Sequence, residues 1–171
     1  MVQIRQSLSL ELMREGGIAT VQEIEREIFA TPWPRNAYYR ELASRTSAHY
    51  VVLRQEGVEA PARFYSADMD PTIVGYGGMW RMYDEAHVTT IGVRQDLHHH
   101  GYGRILFAGL VQAAYDMGAK WITLEVRTTN RGPRAFFTEA GLAALRQLVL
   151  DRRAMDPERF AHLRVELGLE A

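Results

Sequence analysis

Residues 98–103 read His-His-His-Gly-Tyr-Gly and lead into an amphipathic run that ends near Lys120. Two chemistries compete for this segment: imidazoles that ligate a metal, or glycine-opened backbone that holds an anion. Metal ligation fits poorly. Consecutive side chains on an extended loop alternate sides, so at most two of His98, His99 and His100 can face one ion. Asp96 is the sole neighbouring carboxylate and the chain has no cysteine, so the shell cannot be completed. No metal is expected, and the plain alternative for the imidazoles is a solvated loop. Anion capture fits better. A strand that stops at Val93, followed by a loop with Gly101 and Gly103 at a helix start, points several backbone N–H groups outward at the positive end of a helix dipole. Glycine there removes the Cβ that would obstruct an anion and tolerates positive φ.

The elements that must position this loop are read from apolar spacing. A short strand is expected near Leu8 to Met13, then a helix from Ile18 to Phe29 with Ile18, Val21, Ile24 and Ile28 on one face. Pro32 and Pro34 end it, and a second helix runs to about Arg45. "HYVVLRQ", "TIVGYGGMWRMY" and "EAHVTTIGV" are three meandering strands, the first two separated by the turn-rich connection 56–71. Ile105, Leu106, Leu110, Ala113 and Ala114 keep helical spacing until Gly118, a C-terminal cap. "AKWITLEVRT" is then a central strand and "RGPRAFFTEAG" a short helix, while "LRQLVL" and "HLRVEL" offer two closing strands. The order predicts an α+β fold with a mixed sheet, in one domain spanning residues 1–171.

Composition narrows the function. With 47% hydrophobic and 24% charged residues the chain is a globular protein, and a formal net charge of −1 points to neither nucleic acid nor an anionic membrane. The N-terminus lacks the regions of a signal peptide and no window approaches eighteen apolar residues, so a cytoplasmic protein without a membrane partner is expected. Disulfides and cysteine nucleophiles are excluded. The dinucleotide fingerprint G-x-G-x-x-G and the P-loop are both missing, and "DEAH" at residues 84–87 has no nucleotide-binding loop to serve.

The series "IVGYGGMW", "DEAHVTTIGV", "HHHGYGRIL", "WITLEVRTTN" and "RAFFTEAGL" resembles, in order and over residues 18–142, the GNAT superfamily of acyl-CoA-dependent N-acyltransferases. Its likeness is to the branch that acetylates the N-terminal alanine of a ribosomal protein. The resemblance implies a mostly antiparallel mixed sheet flanked by helices and splayed to admit acetyl-CoA as cosubstrate. It places the signature [RQ]-x-x-G-x-[GA] on residues 98–103, where Gly101 and Gly103 match and His98 departs. Backbone amides of His98, His99, His100, Gly101, Tyr102, Gly103 and Arg104 are then expected to cradle the pyrophosphate. Main-chain groups around Ile91, Gly92 and Val93 would pair with the pantetheine arm as an added strand.

For the reacting end, alternation puts Glu125 on one face with Thr123 and Arg127, opposite Leu124 and Val126. The resemblance makes Glu125 the general base; the competing reading is a surface ion pair with Arg127. Asn130 matches a cofactor-contacting asparagine and also suits an N-cap. Phe137 stands where the family usually has a tyrosine that protonates the departing thiolate, so either the thiolate leaves unassisted, or Tyr102, Tyr115 or water substitutes, or catalysis is impaired. Asp84 and Glu85, with Trp33, Trp80 and Tyr83 as apolar walls, can attract a cationic acceptor; the alternative is a solvated hairpin with core aromatics. The acceptor is expected to be a protein or peptide N-terminus. A small amine such as a polyamine or an antibiotic, or a catalytically silent acyl-CoA-binding domain, is the alternative, and a homodimer is left open. Phe137→Tyr restores one hydroxyl at nearly constant bulk. If thiolate departure limits the rate, steady-state kinetics should show kcat rising by less than the general-acid range of about 10² to 10⁴, because a thiolate of pKa about 8.5 needs only partial help. A fall in kcat with acetyl-CoA binding intact would instead mark Phe137 as the wall of a dry pocket.

Overall fold

Ile18, Val21 and Ile24 are fully buried on one face of helix α1 (Ile18–Ile28) in the computed structural model, which describes residues 8–44, 46–127 and 164–170. Pro34, extended at φ −68° and ψ 150°, sets the start of α2 (Arg35–Ala43). The strands are β1 (Leu8–Leu12), β2 (Ala48–Gln55), β3 (Ile73–Met82), β4 (Glu85–Val93), β5 (Trp121–Arg127) and β6 (Arg164–Glu170). Helix α3 (Tyr102–Asp116) links β4 to β5. It ends at Gly118, whose φ of +79° allows the Gly118 amide to reach the Tyr115 carbonyl and Ala119 the Ala114 carbonyl. The predicted helix at 131–141 and the strand "LRQLVL" lie outside the described residues. Of the closing strands, the one placed on "HLRVEL" is β6, which begins two residues later.

Among the described residues six strands lie in the order β1-β2-β3-β4-β5-β6, antiparallel through β4 and parallel from β4 to β5 and β5 to β6. Two irregularities matter. In the β3–β4 ladder Gly78 pairs with Thr90 but Met79 pairs with Val88, so Thr89 is an extra residue that bulges β4. The β4–β5 ladder covers only Glu85–Val88 against Trp121–Leu124, whereas β5 stays paired with β6 through Arg127. The strands therefore part just where β4 bulges, which is the expected splay.

Both sheet faces are covered. On one, Leu106, Phe107, Leu110, Val111 and Ala114 of α3 pack on Val88, Met79, Ile122 and Leu124. On the other, Ile18, Val21 and Ile24 of α1 and Tyr38 of α2 pack on Tyr50, Val52, Ile73 and Tyr76, joined by Phe64 from the β2–β3 connection. Gly92 makes this second face possible, since a Cβ there would sit 2.4 Å from the Tyr76 ring.

A buried carboxylate ties the second face together. Glu25 of α1, 1% exposed, accepts from the Tyr38 hydroxyl, from the Tyr76 hydroxyl at 2.9 Å and from the Trp33 amide at 2.9 Å. Gln22 donates to the Trp33 carbonyl at 3.3 Å, so α1 grips Trp33 by both main-chain groups. Burial first, then Tyr76 and Glu25, hold the Tyr38 phenol well above the usual range; burial and Glu25 do the same for Tyr76. Both phenols thus stay donors in the folded state. Glu25→Leu strands these donors and should lower the unfolding free energy by about 2–5 kcal/mol in urea titrations at pH 7, with Glu25→Gln losing less because its amide oxygen still accepts. Because the folded-state phenol pKa values are raised, their contribution is present below about pH 10, where unfolded tyrosine titrates, and is lost as pH rises beyond it. Tyr38→Phe should flatten that alkaline fall.

Candidate functional site

The Arg94 amide donates to the Val74 carbonyl at 2.9 Å, so alternation turns Gly92 and Arg94 toward β3. Ile91 and Val93 therefore present their N–H and C=O groups to the opposite edge, the one β5 has left. The Val93 carbonyl already meets a partner there: His98 Nε2 donates to it at 2.8 Å. Since a carbonyl only accepts, Nε2 carries the proton.

Beyond β4 the chain is shaped by side chains as much as by backbone. Arg94 is fully buried, donating from Nε to Asp96 at 2.7 Å and from Nη2 to Asp96 at 3.0 Å and to the Glu59 carbonyl at 2.6 Å. Its guanidinium also lies 5.5 Å from the centre of the Phe64 ring. A single 3-10 turn follows at Gln95–Leu97. The Gln95 amide donates to Glu27 of α1 at 3.1 Å. His100 Nδ1 donates to the His98 carbonyl at 2.7 Å, His99 takes a left-handed φ of 64°, and Gly101 one of 87°. Two of the three histidine rings are thus engaged by the loop itself, and among the described residues no three His, Asp or Glu side chains gather as metal ligands do. Glycine at 101 is required by its φ. At Gly103 the fold makes no such demand, as an added Cβ would meet nothing within 4 Å among the described residues. The first intrahelical bond runs from the Ile105 amide to the Gly101 carbonyl at 3.3 Å, so the Tyr102 and Gly103 amides have no partner within the helix.

The Tyr102 hydroxyl donates to Gln55 at the end of β2. Tyr115 packs against the α3-side core thirteen residues along the helix, roughly 20 Å from the glycine loop.

Glu125 is the first β5 residue past the last β4–β5 pair and pairs with Gly168 of β6. Asn130 and Phe137 lie outside the described residues. At the far end of the ladder, Trp80 donates from Nε1 to Glu41 at 2.7 Å, and Asp84 faces Lys120 at 4.0 Å. Tyr83 occupies the hairpin tip with φ 53° and is 99% exposed, so it lines no wall here. Glu85 is half-buried and accepts from the Thr123 hydroxyl at 2.5 Å, while Thr123 also meets His87 Nδ1 at 2.9 Å. Sequence reasoning missed Glu25, Arg94 and His87. His87 had a signal, the spacing of two from Glu85 on a strand, which puts both on one face; the other two had none, because their partners are remote in sequence.

The sequence profile of the acetyltransferase (GNAT) family matches residues 18–142. A putative [ribosomal protein bS18]-alanine N-acetyltransferase of Bacillus subtilis is 28% identical over 130 residues, 76% of this chain and 77% of that one. The N-alpha-acetyltransferase RimI of Mycobacterium tuberculosis is 34% identical over 125 residues, covering 70% of this chain and 68% of its own. In fold, the crystal structure of the Escherichia coli ribosomal-protein-S18-alanine N-acetyltransferase superposes with a TM-score of 0.64 at 21% identity, over 79% of this chain and 77% of that one. Splayed strands, a glycine-opened helix start and these likenesses agree: the chain belongs to the GNAT family and is an acyl-CoA-dependent N-acetyltransferase.

Proposed function

We propose that this chain, acting as one domain over residues 1–171, moves an acetyl group from acetyl-CoA to a protein N-terminal α-amine by direct attack in a ternary complex. The observation that carries the reading is the β4 edge at Ile91 and Val93, which β5 no longer pairs beyond Val88–Leu124 and which leads, through the loop closed by His98, to the glycine-opened start of α3. An extended pantetheine arm pairs with the edge, and its pyrophosphate meets the loop and helix amides from His98 to Arg104. The thioester then reaches the point where β4 and β5 part, beside Glu125, the proposed general base. Likeness to alanine N-acetyltransferases supports a peptide acceptor. Proton chemistry agrees, because an α-amine of pKa about 7.7–8.0 is roughly a tenth neutral at pH 7, whereas lysine is neutral in well under one part in a thousand. Among the described residues no helix is long and apolar enough to cross a membrane.

Isothermal calorimetry should detect acetyl-CoA binding that Gly101→Glu abolishes, since that residue strains the left-handed φ and adds a carboxylate to the anion cradle. Unaltered binding by the variant would remove the loop from the site. Turnover on an alanine-started peptide should exceed that on a panel of polyamines and aminoglycosides. The reverse ranking would assign a small amine as acceptor.

A further inference from the structure

The segment from Arg94 to Tyr102, which leads from β4 into the glycine loop, is held from outside by α1, by the end of β2 and by the connection between β2 and β3 (residues 56–72). At its start the Arg94 guanidinium donates to the Glu59 carbonyl at 2.6 Å and reaches the Pro71 carbonyl at 3.5 Å, so one side chain gathers the connection near both its ends. Between those ends Phe64 is fully buried, with the Arg63 guanidinium 5.2 Å and the Arg94 guanidinium 5.5 Å from its ring centre. Arg63 pairs with Oε1 of Glu27 on α1, and with Glu23 at 3.2 Å. The other oxygen of Glu27 accepts from the Gln95 amide at 3.1 Å. At the far end of the segment the Tyr102 hydroxyl donates to Gln55, the last residue of β2.

The grip falls on the turn that aims the amides. Arg94 and Asp96 meet through Nε and Nη2 side by side, which fixes the 3-10 turn Gln95–Leu97, and Glu27 takes the amide of the residue between them. That turn sets the direction of the backbone that follows it. Capture of an anion by main-chain amides needs several N–H groups converging on one place. A loop that must find this shape on binding loses affinity in proportion to the time it spends in other shapes.

We propose that Arg94 and Glu27 are positioning residues for the coenzyme: by fastening the turn at Gln95–Leu97 to the β2–β3 connection and to α1, they preset the loop for the pyrophosphate and so set acetyl-CoA affinity without touching the ligand. The inference rests on the reading of this loop as the pyrophosphate site. Charge does not account for such a role. The Arg94 cation is buried and neutralised by Asp96, and Glu27 is an anion beside a loop that receives an anion. Arg63 offsets the Glu27 charge, which leaves that carboxylate to act as a fixed acceptor.

The test uses the intact chain and variants for which charge and geometry predict different results. Glu27→Ala deletes an anion beside the loop, which by charge alone tightens acetyl-CoA binding; by geometry it releases the Gln95 amide, and calorimetry should show Kd raised about tenfold. Glu27→Gln loses the same charge but keeps an oxygen for that amide, and should bind as tightly as wild type or more so. Arg94→Lys keeps the charge and loses the side-by-side pair with Asp96, so Kd should again rise by about tenfold. In Glu27→Ala and Arg94→Lys, kcat at saturating acetyl-CoA should stay within about twofold of wild type. The kcat/KM preference for acetyl-CoA over S-acetyl-pantetheine should fall by the factor that Kd rises, because S-acetyl-pantetheine has no pyrophosphate for the loop to hold. Thermal melts followed by circular dichroism establish that each variant is folded at the assay temperature; where Arg94→Lys is not, the two Glu27 variants decide. Unchanged or tighter binding by Glu27→Ala would overturn the proposal, as would an equal loss in Glu27→Gln or equal losses with both acetyl donors. A wild type that does not bind acetyl-CoA overturns the proposed function and this inference with it, whereas wild-type binding with unaffected variants overturns this inference alone.

Discussion

The parting of β4 from β5 after Val88–Leu124 is the constraint on which the rest depends. A parallel pair that stayed zipped would saturate the main-chain groups of Ile91 and Val93, and no extended ligand could pair there. Thr89 makes the separation local. The extra residue kinks β4 away while β3 keeps its full ladder on the other side, so one edge opens without unravelling the sheet. The opening then needs walls, and α3 supplies one by packing Leu106, Leu110 and Ala114 under the strands.

A gap in a sheet exposes polar backbone, and holding it open takes rigid supports on either side. Arg94 is the support at the glycine-loop end. Its guanidinium is spent inside the protein, on Asp96, the Glu59 carbonyl and the Phe64 face, so it orders the loop instead of meeting a ligand. His98 closes the loop back onto β4 through Val93, and His100 braces His98. The histidine run that suggested a metal thus works as hydrogen-bonded scaffolding around a glycine turn. At the other end Glu25 supports the α1–α2 connection by gathering two phenols and the Trp33 amide. A buried carboxylate is costly alone; three donors offset its desolvation and fix the connection against β3.

Much of this was legible in one dimension. The periodicity of α1 and α3, the glycine cap at Gly118, the prolines between α1 and α2 and the meander of β2 to β4 follow from side-chain volume and backbone freedom, which are local properties. The glycine pair at 101 and 103, in register with the flanking motifs, marked the turn that opens α3 for the same reason. What composition and spacing could not supply was the partner of each polar group. Tyr102 looked free to act on a thiolate until Gln55 of β2 was found to hold it, and Tyr83 looked like a wall until the hairpin turned it outward. Glu85 carried a charge to be counted, but its use depends on Thr123, thirty-eight residues away.

The sequence by itself determined the elements, their order, the family motifs and the absence of thiol chemistry, because each rests on the nature of a residue and its near neighbours. Only the tertiary structure decided where the β4–β5 ladder stops, which carboxylate is buried, and which side chains meet at Thr123. Those outcomes depend on register and on contacts between distant segments, and a hydrogen bond's direction is settled only when both of its ends, and the next partner along, are in place.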